Sequence, residues 1–225
     1  MPAYTIGTVS TANNTGTGTD FTANMPATFS AGDLLLGFTR SRASSETFTQ
    51  PAGWTTILTH TNSNGSICMF AKIAVGGDSA PTISWSGSSY VICQIASFTG
   101  DVYTDLSTIV AHSAVLNGTA TDIDVPALTV TTDNCLIVAA GGHNKTATSD
   151  GATLTPPGAY TGIGSGVPAG AAMAYAWGYV QQTTAANLSA TEWNISIAES
   201  LGRSGVTFAL QSQASSAATL AWIKA

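Results

Sequence analysis

The chain has 225 residues, a formal net charge of −6, and 8% charged against 44% hydrophobic residues. That hydrophobic share excludes a disordered chain, which needs low hydrophobicity and high charge, and the length suits one substantial core or one domain of two similar halves. Six scattered basic residues give no electrostatic footprint for nucleic acid, and no run reaches the ~18 apolar residues of a membrane span.

The opening MPAYTIGTVS lacks a basic leader and a sufficient apolar core, so export by an ordinary signal is not expected. The stretch YTIGTVSTANNTGTGTDFT is predicted to supply an edge strand and a loop. PATFSAGDLLLGF follows, then Arg40 and Arg42, the only close basic pair, read as a solvated loop. PAGWTTI leads into ICMFAKIAV, which places Ile67, Met69, Ala71, Ile73 and Val75 on one face. PTISW and VICQIASF come next, the latter with Ile92, Ala96 and Phe98 opposite Val91, Cys93 and Ile95. A period of two in β-branched and aromatic residues is the mark of a strand.

Residues 101–125 read as a crossover, followed by PALTVTTDNCLIVAA and the Gly-rich turn GGHNK. TPPGAYTGI precedes GIGSGVPAG, read as a hairpin loop because no strand–elbow–helix context or GK[ST] phosphate signature surrounds it. MAYAWGYV then places Met173, Tyr175, Trp177 and Tyr179 on one face, and WNISI and GVTFALQS complete the series. Helix periodicity is nearly absent; the closing ASSAATLAWIKA is a weak candidate that suits a strand equally.

The series repeats. GDLLLGF answers DNCLIVAA, TQPAGWTTI answers TPPGAYTGI with Trp54 over Tyr160, and SICMFAKIAV answers AMAYAWGYVQ with Met69 over Tyr175. APTISWSGS answers ATEWNISIA, and YVICQIASF answers GVTFALQS. The expected fold is therefore all-β: a jelly-roll-like β-sandwich of about ten antiparallel strands built from two pseudo-symmetric repeats. It forms a single domain over 1–225, with repeat one at about 26–100, crossover 101–125, repeat two at about 126–212 and a C-terminal segment 213–225.

Few residues invite chemistry. Cys68, Cys93 and Cys135 sit in apolar runs without zinc-like spacing and read as small buried hydrophobes, suited to a reducing compartment. His60, His112 and His143 have no ligand spacing and read as turn or surface residues. Asp122 and Asp124 are too few for a calcium loop, and Glu46, Glu192 and Glu199 mark no glycosidase pair. Trp54, Trp85, Tyr160, Tyr175, Trp177, Tyr179 and Trp193 fall on alternating positions and read as core rather than as a sugar platform. Trp222 lies outside the repeats and is the candidate anchor for a partner surface, with Arg40 and Arg42 beside it as candidate contacts.

GDLLL, PAGWTTI, the F-A-K-I-A strand, PTISWSG and VICQIASFTG, followed by a degenerate second copy, resemble a group of β-sandwich proteins of tailed bacteriophages and prophages. The likeness spans about residues 26–212; Tyr160 in place of tryptophan and Asn134 in the aspartate–apolar run depart from it. Members are described as virion structural proteins that decorate heads or form parts of tails and fibres. The resemblance implies a non-enzymatic virion protein, made in the host cytoplasm, most simply a capsid decoration. The alternative is a tail- or fibre-associated glycan-binding module for host adsorption. It carries no catalytic, cofactor or metal residues. Its implied partners are other virion proteins, a host surface glycan or further copies of the chain, with no nucleic acid and no membrane. An edge strand, or segments 1–20 and 213–225, would make the docking contacts.

Overall fold

The structure is a computed structural model that describes residues 4–11, 13–15, 18–87, 89–100, 106, 109–120, 122–144, 154–168, 173–195 and 201–211. Among the described residues the regular structure is entirely strand. The strands are β1 (Thr5–Val9), β2 (Asn13–Thr15), β3 (Asp20–Thr22), β4 (Leu34–Ser41), β5 (Phe48–Thr49), β6 (Thr55–Asn62), β7 (Gly65–Ile73), β8 (Thr82–Trp85) and β9 (Val91–Thr99). They continue as β10 (Ile109–Ala120), β11 (Ile123–Val125), β12 (Leu128–Val130), β13 (Cys135–Asn144), β14 (Leu154–Thr155), β15 (Thr161–Gly166), β16 (Met173–Gln182), β17 (Ala186–Leu188), β18 (Thr191–Ile195) and β19 (Leu201–Gln211).

Two large antiparallel sheets form the centre. One runs β1-β9-β4-β7-β6, with β2 also paired to β9; the other runs β10-β19-β13-β16-β15. Alternate residues of both point into one shared core, among them Leu34, Leu36, Phe38, Met69 and Ile92 against Leu136, Val138, Trp177 and Phe208. Phe38 stacks on Trp177 with ring centres 5.8 Å apart, and Phe98 meets Tyr179 edge-on at 5.3 Å.

The outer faces are covered as well. The small sheet β3-β8-β5 lays Phe21, Ile83 and Trp85 over Leu35, Cys68, Phe70, Cys93 and Ile95. On the far side, β11-β18-β14 lays Ile123, Val125 and Trp193 over Cys135, Ile137, Ala139 and Ala209. The pair β12-β17 adds Leu128 and Val130 to the same cluster. The protein is thus a β-sandwich-like stack of four layers rather than two. A strand such as β4 buries Leu34 and Leu36 on one face and Leu35 on the other, each worth roughly 1.5–3 kcal/mol over exposure. Covering on both faces is why LLLGF and CLIVAA are continuous apolar runs instead of alternating ones.

Three local expectations change. GGHNK is not a turn as far as Asn144: β13 runs through Gly141, Gly142 and His143, and His143 is buried. Two glycines sit inside that strand because a side chain at Gly141 would strike Ile123, and one at Gly142 would strike Arg40. GIGSG is strand β15, not a loop, and Ile163 is buried at a bulge between Gly162 and Gly164. The segment 101–125 contains β10 and β11, so much of the crossover is sheet.

Bulges recur in the edge strands. β6 is bulged between Thr56 and Leu58, with Ile57 buried there, and β1 between Ile6 and Val9. β10 is bulged between Ile109 and Ala111. Bulges twist an edge and discourage further pairing. Gly32 (φ 93°) and Asn134 (φ 57°) hold left-handed backbone two residues before Leu34 and Leu136.

Candidate functional site

Three polar constellations stand out among the described residues. The first lies between the central sheets. Arg40 continues the inward parity of Leu34, Leu36 and Phe38, and it is 0% exposed. Its Nη2 donates to the Asn64 carbonyl at 3.2 Å and to Asn144 Oδ1 at 3.0 Å. Nε and Nη1 have no hydrogen-bond partner among the described residues. Desolvation pushes its guanidinium down to about 9, which leaves it charged at neutral pH. The solvated loop expected at Arg40 is therefore wrong for that residue, whereas Arg42 is exposed in the bend after β4. Arg42 alone of this pair is placed to touch a partner; Trp222 lies outside the described residues.

The second constellation flanks the outer end of β4. Ser89 Oγ donates to Glu46 Oε2 at 2.9 Å and lies 3.3 Å from Ser41 Oγ, which in turn ties the Ala43 backbone. Glu46 is 5% exposed. Its partner is a hydroxyl, so this group holds the 42–47 loop against the β8–β9 connection.

The third opens to solvent. Asp124 and Glu192 are directly opposite on β11 and β18. Arg203 Nη1 reaches Asp124 Oδ1 at 3.0 Å, Glu192 Oε1 at 3.9 Å and the Asp122 carbonyl at 2.7 Å. Beside them is a cleft of about 450 Å³ lined by Asp124, Val125, Ala190, Thr191, Glu192 and Asn194. One guanidinium serves two carboxylates, and the Glu192 side chain is half exposed. The cleft therefore presents hydrogen-bond acceptors with a residual negative charge. Asp124 and Glu192 are far apart in the sequence; only the register of β11 on β18 brings them together.

The remaining candidates resolve simply. Trp54, Trp85, Tyr160, Tyr175, Trp177, Tyr179 and Trp193 are all buried. The histidines sit on different strands, β6, β10 and β13. All three cysteines are free and buried. Burial pushes the Cys68 and Cys93 thiols up to about 12. A thiol-specific reagent at pH 8 should modify none of the three in the native protein and all three after unfolding; prompt native labelling would contradict this packing. Because the folded pKa values lie above the usual ~8.5 of a free thiol, their contribution to stability falls as pH climbs from about 9 towards 12.

No family model, curated protein or solved structure matches the chain.

Proposed function

We propose that the chain is a duplicated jelly roll that serves as a non-enzymatic structural protein on the surface of a phage particle, most simply as a capsid decoration. The duplication is supported by strand order. Counting β1, β3, β4, β5, β6, β7, β8 and β9 as strands 1 to 8 of one half, its sheets run 1-8-3-6-5 and 2-7-4. Counting β10, β11, β13, β14, β15, β16, β18 and β19 the same way, the other half runs 1-8-3-6-5 and 2-7-4. Early strands alternate between a large and a small sheet, as in a jelly roll's wound-back hairpins. The bulge at Ile57 answers the bulge at Ile163, and that near Ile6 answers that near Ile109.

The observation that carries the particle role is the four-layer packing. It turns the large aromatics inward and leaves an exterior rich in Thr, Ser, Gly and Asn with few charges. Such a body suits many weak contacts repeated by symmetry, where multivalency supplies affinity. Co-expression with the neighbouring head and tail gene products, followed by gradient sedimentation, tests it. The protein should travel with heads. Sedimentation with tails alone would move it to the adsorption role, and failure to join either particle part would overturn the proposal.

The tail or fibre glycan-binding reading is favoured by one observation, the Asp124–Glu192–Arg203 cleft. In the first half the equivalent positions are Thr22, Thr82 and Val91, with Ser84 for Asn194. The same fold is built there without the charges, so the fold does not demand them. On this reading, Glu192→Ala and Asn194→Ala should each weaken binding on a glycan array about tenfold and shift the melting temperature by little. Unchanged glycan binding by both variants, with intact assembly, would remove the reading.

A further inference from the structure

Arg40 presents an unusual imbalance. It is a full positive charge sealed between the central sheets, and no carboxylate forms an ion pair with it among the described residues. Asn64 and Asn144 satisfy Nη2 alone. A buried charge without a counter-charge carries a heavy desolvation penalty. Neutral amide and carbonyl oxygens relieve only part of it.

The opposing sheet accommodates the guanidinium itself. Gly142 lies against the guanidinium, and any side chain there would collide with Arg40. Ser204 is paired with Gly142 on the neighbouring β19 and shares the inward parity of Val206, Phe208 and Leu210. It is 1% exposed, and its Oγ has no partner among the described residues. Two guanidinium nitrogens on one sheet and a hydroxyl on the other are thus buried donors with no acceptor among the described residues.

We propose that this seam binds a small monovalent anion of halide size, held by Nε and Nη1 of Arg40 with the Ser204 hydroxyl as a second donor. A water molecule could accept these hydrogen bonds, but it would leave the charge uncompensated. Arg40 and Ser204 are both sealed from the surface, so a partner's side chain does not reach them and the ion would be enclosed as the two sheets pack. Bound there, the anion would tie the two central sheets together at the point where Arg40 meets Asn144.

Bromide is the probe. Wild-type crystals grown in sodium bromide should show an anomalous peak beside Arg40 Nε and Nη1. The wild-type melting temperature should rise with bromide, relative to sodium gluconate at equal ionic strength, as mass action requires for a ligand of the folded state. Arg40→Met should lose that bromide-specific rise. Ser204→Ala should need about tenfold more bromide for the same shift, the worth of one hydrogen bond to a charged group. An empty map at Arg40 overturns the proposal, as does an equal bromide response in wild type and Arg40→Met. If Arg40→Met does not fold, the wild-type map and Ser204→Ala decide between the same two outcomes.

Discussion

Replacing Trp177 with alanine is expected to remove about 3–5 kcal/mol of stability, read as the loss in urea denaturation free energy. Trp177 is fully buried at the centre of the shared core, where Phe38 stacks on it. Its Nε1 donates to Gln94 Oε1 at 2.7 Å, a bond that crosses from one central sheet to the other. Truncation opens a large void and also strands the Gln94 oxygen in an apolar core. Trp177→Phe separates the two costs: it keeps most of the packing and removes the bond, for about 1–3 kcal/mol. A loss under about 1 kcal/mol from the alanine variant would mean that the central sheets do not share this core.

Phe70→Ala should cost a similar 3–5 kcal/mol, and here a second substitution should give part of it back. The Phe70 ring lies over Gly37, its cross-strand neighbour on β4. In the other half the equivalent pair is Ala139 and Gly178, and the bulk comes from the covering sheet instead: Trp193 lies over Gly178, 3.0 Å from where a Cβ would stand. The position equivalent to Trp193 is Ile83, already in contact with the same outer core as Phe70. The two halves thus fill one volume from opposite layers. Adding Ile83→Trp to Phe70→Ala should recover at least ~1 kcal/mol, a coupling of the size seen between residues that share a cavity. Strictly additive losses would show that the exchange of bulk between layers is not interchangeable.

Much of this was legible in the residues. PAGW and PGAY mark matching turns: Trp54 N–H donates to Pro51 O at 3.1 Å and Tyr160 N–H to Pro157 O at 2.8 Å, and both rings are buried. Under the proposed duplication, the pairing of Met69 with Tyr175 is two residues out. The bulges and ladders set Met69 against Phe38 and Trp177 against Ala140, so Met69 answers Trp177. A slip of two keeps every side chain on its own face, so alternation alone cannot detect it. The covering sheets were hidden because β5 and β14 are two residues long and carry no periodicity. The uninterrupted apolar run of β4 was the available sign that both its faces are packed. Arg40 was misplaced because arginine between threonine and serine has the composition of a surface loop. Its parity with Leu34, Leu36 and Phe38 was the better guide. The Asp124–Glu192 cleft depends on register between strands far apart in the chain, which no local pattern encodes.

Arg40 and Gly142 hold equivalent places in the two halves, each six residues beyond an equivalent leucine, Leu34 or Leu136. They also touch each other. In an ancestral pair of identical half-length chains, that spot would bring one residue face to face with its own copy. Two glycines fit there; two arginines would repel and overlap. Under the proposed duplication, joining the copies into a single gene would lift that restriction, because each side could then mutate alone. On the duplication proposed above, the lone guanidinium is a trace of broken symmetry, a residue that a fused chain can carry and a pair of identical half-length chains could not.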